Sequence, residues 1–470
     1  MPKNSYDEFE YPCWPRPQTH PRNLAALAIL SGIEPPPLSG CRVLEVGCND
    51  GGNLTPIALN YPNSDCIGID LAETPIQAAT EYAAAAGAGN VRYFAMNLMD
   101  WTGELGQFDY IIAHGFYSWV PSLVRARLLE ICANSLTPNG LAFISYNAYP
   151  GCYFRKYVSG LLRIYTRNIE SPKEKVARAL EISRSILASP PKGAKESIMH
   201  DELKDILEKS PSVIYHDDLA AVNDAFTITE FSDHLSAAGL QLLRDADPAR
   251  DGATNANGPA ESWLEKRQLA DYIAARRFRE SIVCRARLVP QRESTPAQYG
   301  RLHAFTSAEA HPEVDGEQTF KLPKGEIKVR HPQVRNILNQ LCEAVPGSVS
   351  VRSLHTWDGD PDLTASILER LQTSGAASLV YDPIPVVAEP GEMPRATAMA
   401  RQQALRGDTA FSSQRHVPVK LADPVSRRLL TLLDGTKDRQ TLFAELNPGG
   451  TLEEFNQNLA AMGRLGLFVA

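Results

Sequence analysis

The stretch that most constrains the fold is residues 41–53, Cys-Arg-Val-Leu-Glu-Val-Gly-Cys-Asn-Asp-Gly-Gly-Asn. Val43, Leu44 and Val46 form a short apolar run that stops at a glycine, the pattern of a buried strand entering a tight turn. Gly47, Gly51 and Gly52 carry no Cβ, so the backbone there can approach a ligand closely. Leu54, Ile57 and Ala58 then repeat at helical spacing. A strand, a glycine turn and a helix N-terminus in this order make a place for a nucleotide-like group. The spacing is not the Gly-x-Gly-x-x-Gly of dinucleotide sites, and Glu45 on the strand end would face the charge of a pyrophosphate. A second anchor follows: Cys66 to Asp70 reads as the next strand, ending in a carboxylate. Asp70 lies about 20 residues past the glycines, where an acid can bind both hydroxyls of a ribose.

The rest of the chain organises around this start. Residues 1–22 are rich in Pro, Tyr and Trp and read as extended, with a helix expected over Asn23–Leu30. An alanine-rich helix is expected over 74–86, and strands over 91–95, 108–113 and 141–146. Arg125–Ser135 reads as a helix and Pro138-Asn139-Gly140 as a turn. Five strands alternating with helices imply a parallel sheet with right-handed crossovers. From 152 to 223 the spacing is helical only; the strand rhythm then returns with strands near Leu240–Arg244 and Arg279–Leu288. Residues 1–151 and 224–290 are therefore expected to form one sheet domain, interrupted by a helical insertion over 152–223 that lies at the carboxyl edge of the sheet. Asp251–Gly258 reads as a surface loop. Residues 291–325 are polar and rich in Pro and Gly, and are expected to be a linker. Residues 326–470 read as a mainly α, winged-helix-like domain, and a chain of residues 1–300 is expected to fold without it.

Bulk properties narrow the function. The 470 residues carry a net charge of −8, which gives no electrostatic case for nucleic acid or an anionic membrane. Residues 331–470 hold 13 Lys and Arg against 15 Asp and Glu, a balance that argues against a DNA reader. No apolar run reaches membrane-spanning length, and the first residues lack the apolar region of a signal peptide, so a cytoplasmic protein is expected. The eight cysteines are scattered without a Cys-x-x-Cys pair, so reduced, buried thiols are expected and no metal site.

Longer segments carry a resemblance. They are Pro17-Gln18-Thr19-His20-Pro21, Leu44-Glu45-Val46-Gly47-Cys48, Gly68-Ile69-Asp70-Leu71, the run Phe108–Pro121, and Tyr149-Pro150-Gly151. His216-Asp217-Asp218-Leu219, Arg277-Phe278-Arg279 and Leu433-Asp434-Gly435-Thr436 extend it nearly to the C-terminus. On these residues the chain resembles class I S-adenosylmethionine (SAM)-dependent methyltransferases with a methyltransferase regulatory domain. That family includes the rickettsial outer-membrane-protein lysine methyltransferases.

The resemblance implies an α/β fold: a Rossmann-like seven-stranded methyltransferase sheet, a helical insertion and a C-terminal winged-helix-like domain. It implies SAM as cofactor, with Glu45, Gly47, Cys48, Asn49, Gly51, Asn53, Asp70, Leu71, Asn97, Leu98 and His114 around it. Asn49 stands where many such enzymes have a glycine, and Asn97 where many have an acid. His114, Tyr117, Trp119, Tyr146 and Asn147 are the residues expected to act on the acceptor, with Tyr149 beside them in an aromatic channel. The reaction implied is methyl transfer to a protein or peptide side chain, the lysine amine first. Two alternatives stand beside it: a small molecule or modified peptide as acceptor, and a SAM-binding regulator without turnover.

Overall fold

The computed structural model describes residue 11 and residues 13–251, 262–446 and 449–469. Seven strands form the main sheet: β1 (Arg42–Val46), β2 (Asp65–Asp70), β3 (Val91–Ala95), β4 (Phe108–Ala113), β5 (Leu136–Ala148), β7 (Leu240–Asp245) and β8 (Phe278–Arg285). Their order is β3-β2-β1-β4-β5-β8-β7, and a two-residue strand, β6 (Ala225–Phe226), pairs with the end of β5. Strands β1 to β5 run parallel. Strand β8 runs antiparallel to both β5 and β7. Strand order reverses between β1 and β4, and the crevice beyond the carboxyl ends at such a point is where ligands bind in open α/β sheets. Val43, Leu44 and Val46 are fully buried, as a central strand covered on both faces requires.

Pro138-Asn139-Gly140 is not a free turn. Leu136 already pairs with Phe108, and the register then slips before Tyr110 pairs with Leu141. The three residues are a bulge inside one long strand. A Cβ on Gly140 would lie 3.0 Å from the Phe108 carbonyl, so the close approach of β4 holds a glycine there.

The insertion folds as three helices, Cys152–Thr166, Pro172–Leu187 and Ala194–Glu208, followed by a tight turn over Ile214–Asp218. It has its own core of Val158, Leu162, Val176, Ala179, Leu203, Ile206 and Ile214. Asp218 binds it together, accepting from Arg155 at 3.2 Å and from Lys209 at 2.9 Å. Of the loop expected over 251–258, all but Asp251 lies outside the described residues.

The segment 291–325 is structured, which corrects the linker expectation. His303–Phe305 is the middle strand of a three-stranded sheet with Val349–Ser350 and Ser378–Val380. Glu309–Val314, Glu317–Lys321 and Glu326–Val329 form a second, antiparallel sheet. Its polar composition has a simple cause. The Glu309–Val314 edge strand is exposed at every position, and in Glu317–Lys321 only Gln318 and Phe320 are buried. An edge strand exposed on both faces needs no apolar pattern, so the composition imitates a linker.

This region also shares its core with the main sheet. Leu24, Leu27 and Leu30 of the Pro21–Leu30 helix lie in one apolar cluster with Ile337, Leu338, Leu368 and Leu379. Arg22 pairs with Asp382 at 3.2 Å, and Tyr61 Oη donates to the same carboxylate at 3.0 Å. A separate core further on joins Ala400, Phe411, Leu429, Leu430, Leu459 and Phe468. It is built from helices Ala398–Arg406, Pro424–Leu432, Arg439–Leu446 and Leu452–Arg464 with the hairpin Ala410–Ser412 and Pro418–Lys420. Residues 326–470 therefore contribute to two cores rather than one.

Candidate active site

A cavity of about 760 Å³ opens at the carboxyl edge of the sheet. Its floor is the glycine turn. The Gly47 amide donates to Ile69 O at 2.8 Å, which turns the chain away from β1 with φ +75°, a conformation open to glycine. Asn49 takes φ 49° in place of the usual glycine. Asparagine tolerates this left-handed region better than other side chains. The Asn49 side chain is tied down by donating to Tyr11 O at 2.9 Å.

Two carboxylates, Glu45 and Asp70, line the cavity. Asp70 accepts the backbone N–H of Asn49 at 3.0 Å and that of Ala72 at 3.0 Å. Glu45 is buried; its Oε1 accepts from Asn53 Nδ2 at 2.8 Å, while Oε2 is buried without a partner among the described residues. Desolvation pushes the Glu45 carboxyl up to about 8, opposed by the Asn53 hydrogen bond. A cationic ligand group beside Oε2 would satisfy that atom and restore the charged form. The cavity walls thus suit an amino acid ammonium at Glu45 and ribose hydroxyls at Asp70.

Of the expected cofactor residues, Glu45, Gly47, Asn49, Asn53, Asp70, Leu71, Asn97, Leu98 and His114 line the cavity. Cys48 and Gly51 do not. Cys48 is buried beneath the turn, its sulfur 2.8 Å from where a Cβ of Gly68 would sit. A Cβ on Gly51 would lie 2.5 Å from Tyr93 Oη, so this glycine serves the packing of β3 rather than approach to a ligand. Asn97 is exposed and uses its side-chain oxygen to cap its own turn, accepting from Met99 N at 3.0 Å. The second lone pair of that oxygen stays open to an adenine amino group.

The acceptor side departs further from expectation. Trp119 and Asn147 line the cavity, but Tyr117, Tyr146 and Tyr149 do not. Tyr117 is buried under β4, with its hydroxyl 2.9 Å from His234 Nδ1 and its ring against Phe226 and Phe231. Tyr146 packs on Phe231 with ring centroids 4.3 Å apart. Strand side chains alternate, so Asn147 facing the cavity sends Tyr146 to the opposite face. Tyr149 stacks on Tyr153 at 4.1 Å outside the cavity, where Lys156 donates to its hydroxyl at 2.8 Å. His114 is half-buried in the wall, near Phe143 and Phe278. Desolvation, with the charge of Arg16 adding to it, lowers His114 to about 3 and keeps the ring neutral at pH 7.

Other residues complete the walls. Arg155 and Asp217 come from the insertion, Tyr11, Trp14 and Arg16 from the N-terminal segment, and Phe278 and Glu280 from β8. Arg155 stacks on Trp119 at 5.7 Å and pairs with Asp217 at 3.3 Å. Asn147 donates to Asn223 Oδ1 at 2.8 Å, and Asn223 donates to Asp217 O at 3.0 Å, which joins β5 to the insertion. Parity again sorts β8. Phe278 and Glu280 face the cavity, while Arg279 points away and is clamped by Asp271 at 2.8 Å and Asp245 at 3.1 Å. The only sequence signals for these residues were the motifs at 216–219 and 277–279, which carried the resemblance without a role. Among the described residues no cluster of His, Cys, Asp or Glu is arranged to hold a metal ion.

Fold and cavity together define a Rossmann-like methyltransferase. Comparison with known proteins agrees. Residues 43–140 match a methyltransferase domain family, residues 210–285 a "Predicted methyltransferase regulatory domain", and residues 392–454 a "PKMT, C-terminal winged helix domain". The uncharacterized protein RP028 of Rickettsia prowazekii is 32% identical over 244 residues, 52% of this chain and 98% of that protein. RP789 of the same organism is 31% identical over 291 residues, covering 60% of this chain but only 52% of the relative, so the chain spans about half of that protein's length. In three dimensions the chain matches PKMT2 from Rickettsia typhi, solved in complex with AdoHcy, with a TM-score of 0.85. That match covers 98% of this chain and 100% of the other at 22% identity, a likeness of fold. The chain belongs to the class I SAM-dependent methyltransferases that carry a methyltransferase regulatory domain and a PKMT-type winged-helix domain.

Proposed function

We propose that the chain binds SAM across the carboxyl edge of the sheet and transfers its methyl group to a protein side chain, the amine of lysine. The observation that carries this reading is the pair of carboxylates that line one cavity. Glu45 has an unpartnered buried oxygen for an ammonium, and Asp70 is held by two amide N–H groups where ribose hydroxyls would lie. Bound SAM supplies an electrophilic methyl group on a sulfonium.

The residues of the chain then have to align the acceptor and exclude water. Arg155, Asp217 and Trp119 close the acceptor side beneath the insertion. The carboxylates of Asp217 and Glu280 attract an incoming ammonium, and the Trp119 and Phe278 rings suit a long, narrow side chain. A lysine must lose its proton before it attacks. From an ordinary pKa near 10.4 this costs about 4–5 kcal/mol at pH 7, and desolvation in the cavity lowers that cost. His114, lowered to about 3, is too weak a base to hold the proton and acts as a neutral wall and hydrogen-bonding group. In this reading residues 152–223 select the acceptor. The eight free cysteines suit a reducing cytoplasm. No helix among the described residues is long and apolar enough to cross a membrane.

Incubation with methyl-labelled SAM and a whole-cell protein extract, followed by mass spectrometry of the hydrolysed protein, tests the proposal. Methyl-lysine is the expected product. Label confined to small molecules would replace the acceptor, and SAM binding without any transfer would make the chain a regulator.

A further inference from the structure

The winged-helix region does not sit apart from the cofactor cavity. Between strands Ala410–Ser412 and Pro418–Lys420, the hairpin loop carries His416 into the main domain, where its Nε2 lies 2.9 Å from Asn53 Oδ1. His416 is 1% exposed and takes φ 57°, which is uncommon for a residue with a side chain. The loop is built to hold it. The His416 amide donates to Ser413 O at 2.9 Å, Ser413 Oγ donates to Val417 O at 3.0 Å, and Gln414 N donates to Gly466 O at 2.9 Å.

The Arg16 backbone N–H can only donate, so the Asn53 atom that faces it at 2.9 Å is the oxygen. The Asn53 amide nitrogen then faces Glu45 Oε1, to which it donates at 2.8 Å. His416 must therefore carry its proton on Nε2 to donate to that same oxygen. Its Nδ1 is buried without a partner, so Asn53 is the single polar contact of the ring among the described residues. Burial, with Arg22 nearby, lowers His416 to about 3, so the ring stays in this neutral form across the physiological range. A second grip lies on the ribose side. Met399 packs with Tyr82 and Ala86, and Arg406 stacks on Tyr82 at 4.5 Å, on the Glu73–Ala86 helix that follows Asp70.

We propose that His416 is a positioning residue for the cofactor: the winged-helix region, through the chain His416–Asn53–Glu45, fixes the carboxylate that receives the methionine end of SAM. Asn53 Oδ1 also faces the Arg16 N–H at 2.9 Å and Thr19 Oγ1 at 3.1 Å, so loss of the His416 proton removes one of its donors and loosens the Asn53 amide that donates to Glu45. The hairpin is then a strut of the cofactor site, not a nucleic-acid wing. This inference rests on the reading of Glu45 as a cofactor contact.

Calorimetric titration of the full-length protein with S-adenosylhomocysteine tests it, with thermal unfolding of each ligand-free variant as control. His416→Met keeps bulk and removes the N–H, while His416→Gln restores an N–H at similar reach. We expect His416→Met to weaken binding about fivefold to tenfold, the loss of roughly one buried hydrogen bond. His416→Gln should recover most of that loss, and His416→Met should add little in an Asn53→Ala background. If His416→Met does not fold, His416→Leu takes its place. Unchanged affinity in the folded variant would overturn the inference while leaving the proposed function intact. Equal loss in the Met and Gln variants, or full additivity with Asn53→Ala, would overturn it in favour of packing alone. Wild-type protein that binds no S-adenosylhomocysteine would overturn both.

Discussion

The backbone amide of Asn49 donates to Asp70 Oδ2 at 3.0 Å, so the glycine turn and the Asp70 carboxylate are one hydrogen-bonded unit. The acid is oriented before any ligand arrives, because the turn after β1 and the end of β2 hold it between two amides. Asp70→Ala removes both the ligand's acceptor and the anchor of the turn. SAM affinity should fall at least tenfold, since hydrogen bonds to a charged group contribute about 1.5–3 kcal/mol each. Calorimetry showing unchanged affinity would take Asp70 out of the site.

Glu45 predicts a pH dependence. Its folded carboxyl is raised to about 8 from an ordinary value of 4.5. Between those values the folded, ligand-free protein holds a proton that the unfolded chain has released. Stability of the ligand-free protein therefore falls as pH rises through this window, and the penalty is complete above the folded value. An ammonium ligand needs the charged carboxylate, so binding releases a proton below about pH 8. SAM affinity should rise from pH 6 to pH 7.5 by up to about tenfold per unit, and the calorimetric heat should vary with the ionisation enthalpy of the buffer. Glu45→Gln should raise the ligand-free Tm at pH 7.5 and abolish both effects. Heats independent of buffer would count against this assignment.

Trp119 and Tyr146 should now separate. Trp119→Ala removes a cavity wall and the ring on which Arg155 rests, so kcat should fall far more than SAM affinity. The Tyr146 hydroxyl is buried outside the cavity, beside Ser281, so Tyr146→Phe should leave kcat and KM within about twofold. A large loss in Tyr146→Phe would mean that the hydroxyl reaches the acceptor.

Arg279 is fully buried and neutralises two buried carboxylates, Asp245 and Asp271. Removing one member of such a buried cluster costs up to about 3–5 kcal/mol, with Arg276 still paired to Asp271 at 2.6 Å. Arg279→Met should lower stability by up to that amount in chemical denaturation. A loss under about 1 kcal/mol would show that the carboxylates protonate or rehydrate at little cost.

A chain ending at residue 300 should not behave as a separate cofactor-binding unit. It would bare the face of the Pro21–Leu30 helix that packs on Ile337, Leu338 and Leu379, and leave Arg22 and Tyr61 without Asp382. We expect aggregation or loss of cooperative unfolding. A soluble, cooperatively folding fragment of residues 1–300 would refute this.

What the sequence determined by itself was local. The β1 run, its glycine turn and Asp70 were legible because a strand buried on both faces must be apolar and a turn of this kind needs left-handed residues. The order of strands and helices gave the parallel sheet, and the break in that rhythm gave the insertion at the carboxyl edge. Which aromatics face the acceptor was decided only by tertiary structure. Tyr117 and Trp119 lie two residues apart on one loop, yet Tyr117 is drawn under the sheet by His234, 117 positions away, while Trp119 stays in the cavity under Arg155. The polar strands after residue 300 were invisible, because an exposed edge carries no apolar alternation. The contact between His416 and Asn53 spans 363 positions. No local pattern encodes it; it exists because the cores that place the two residues are packed against each other.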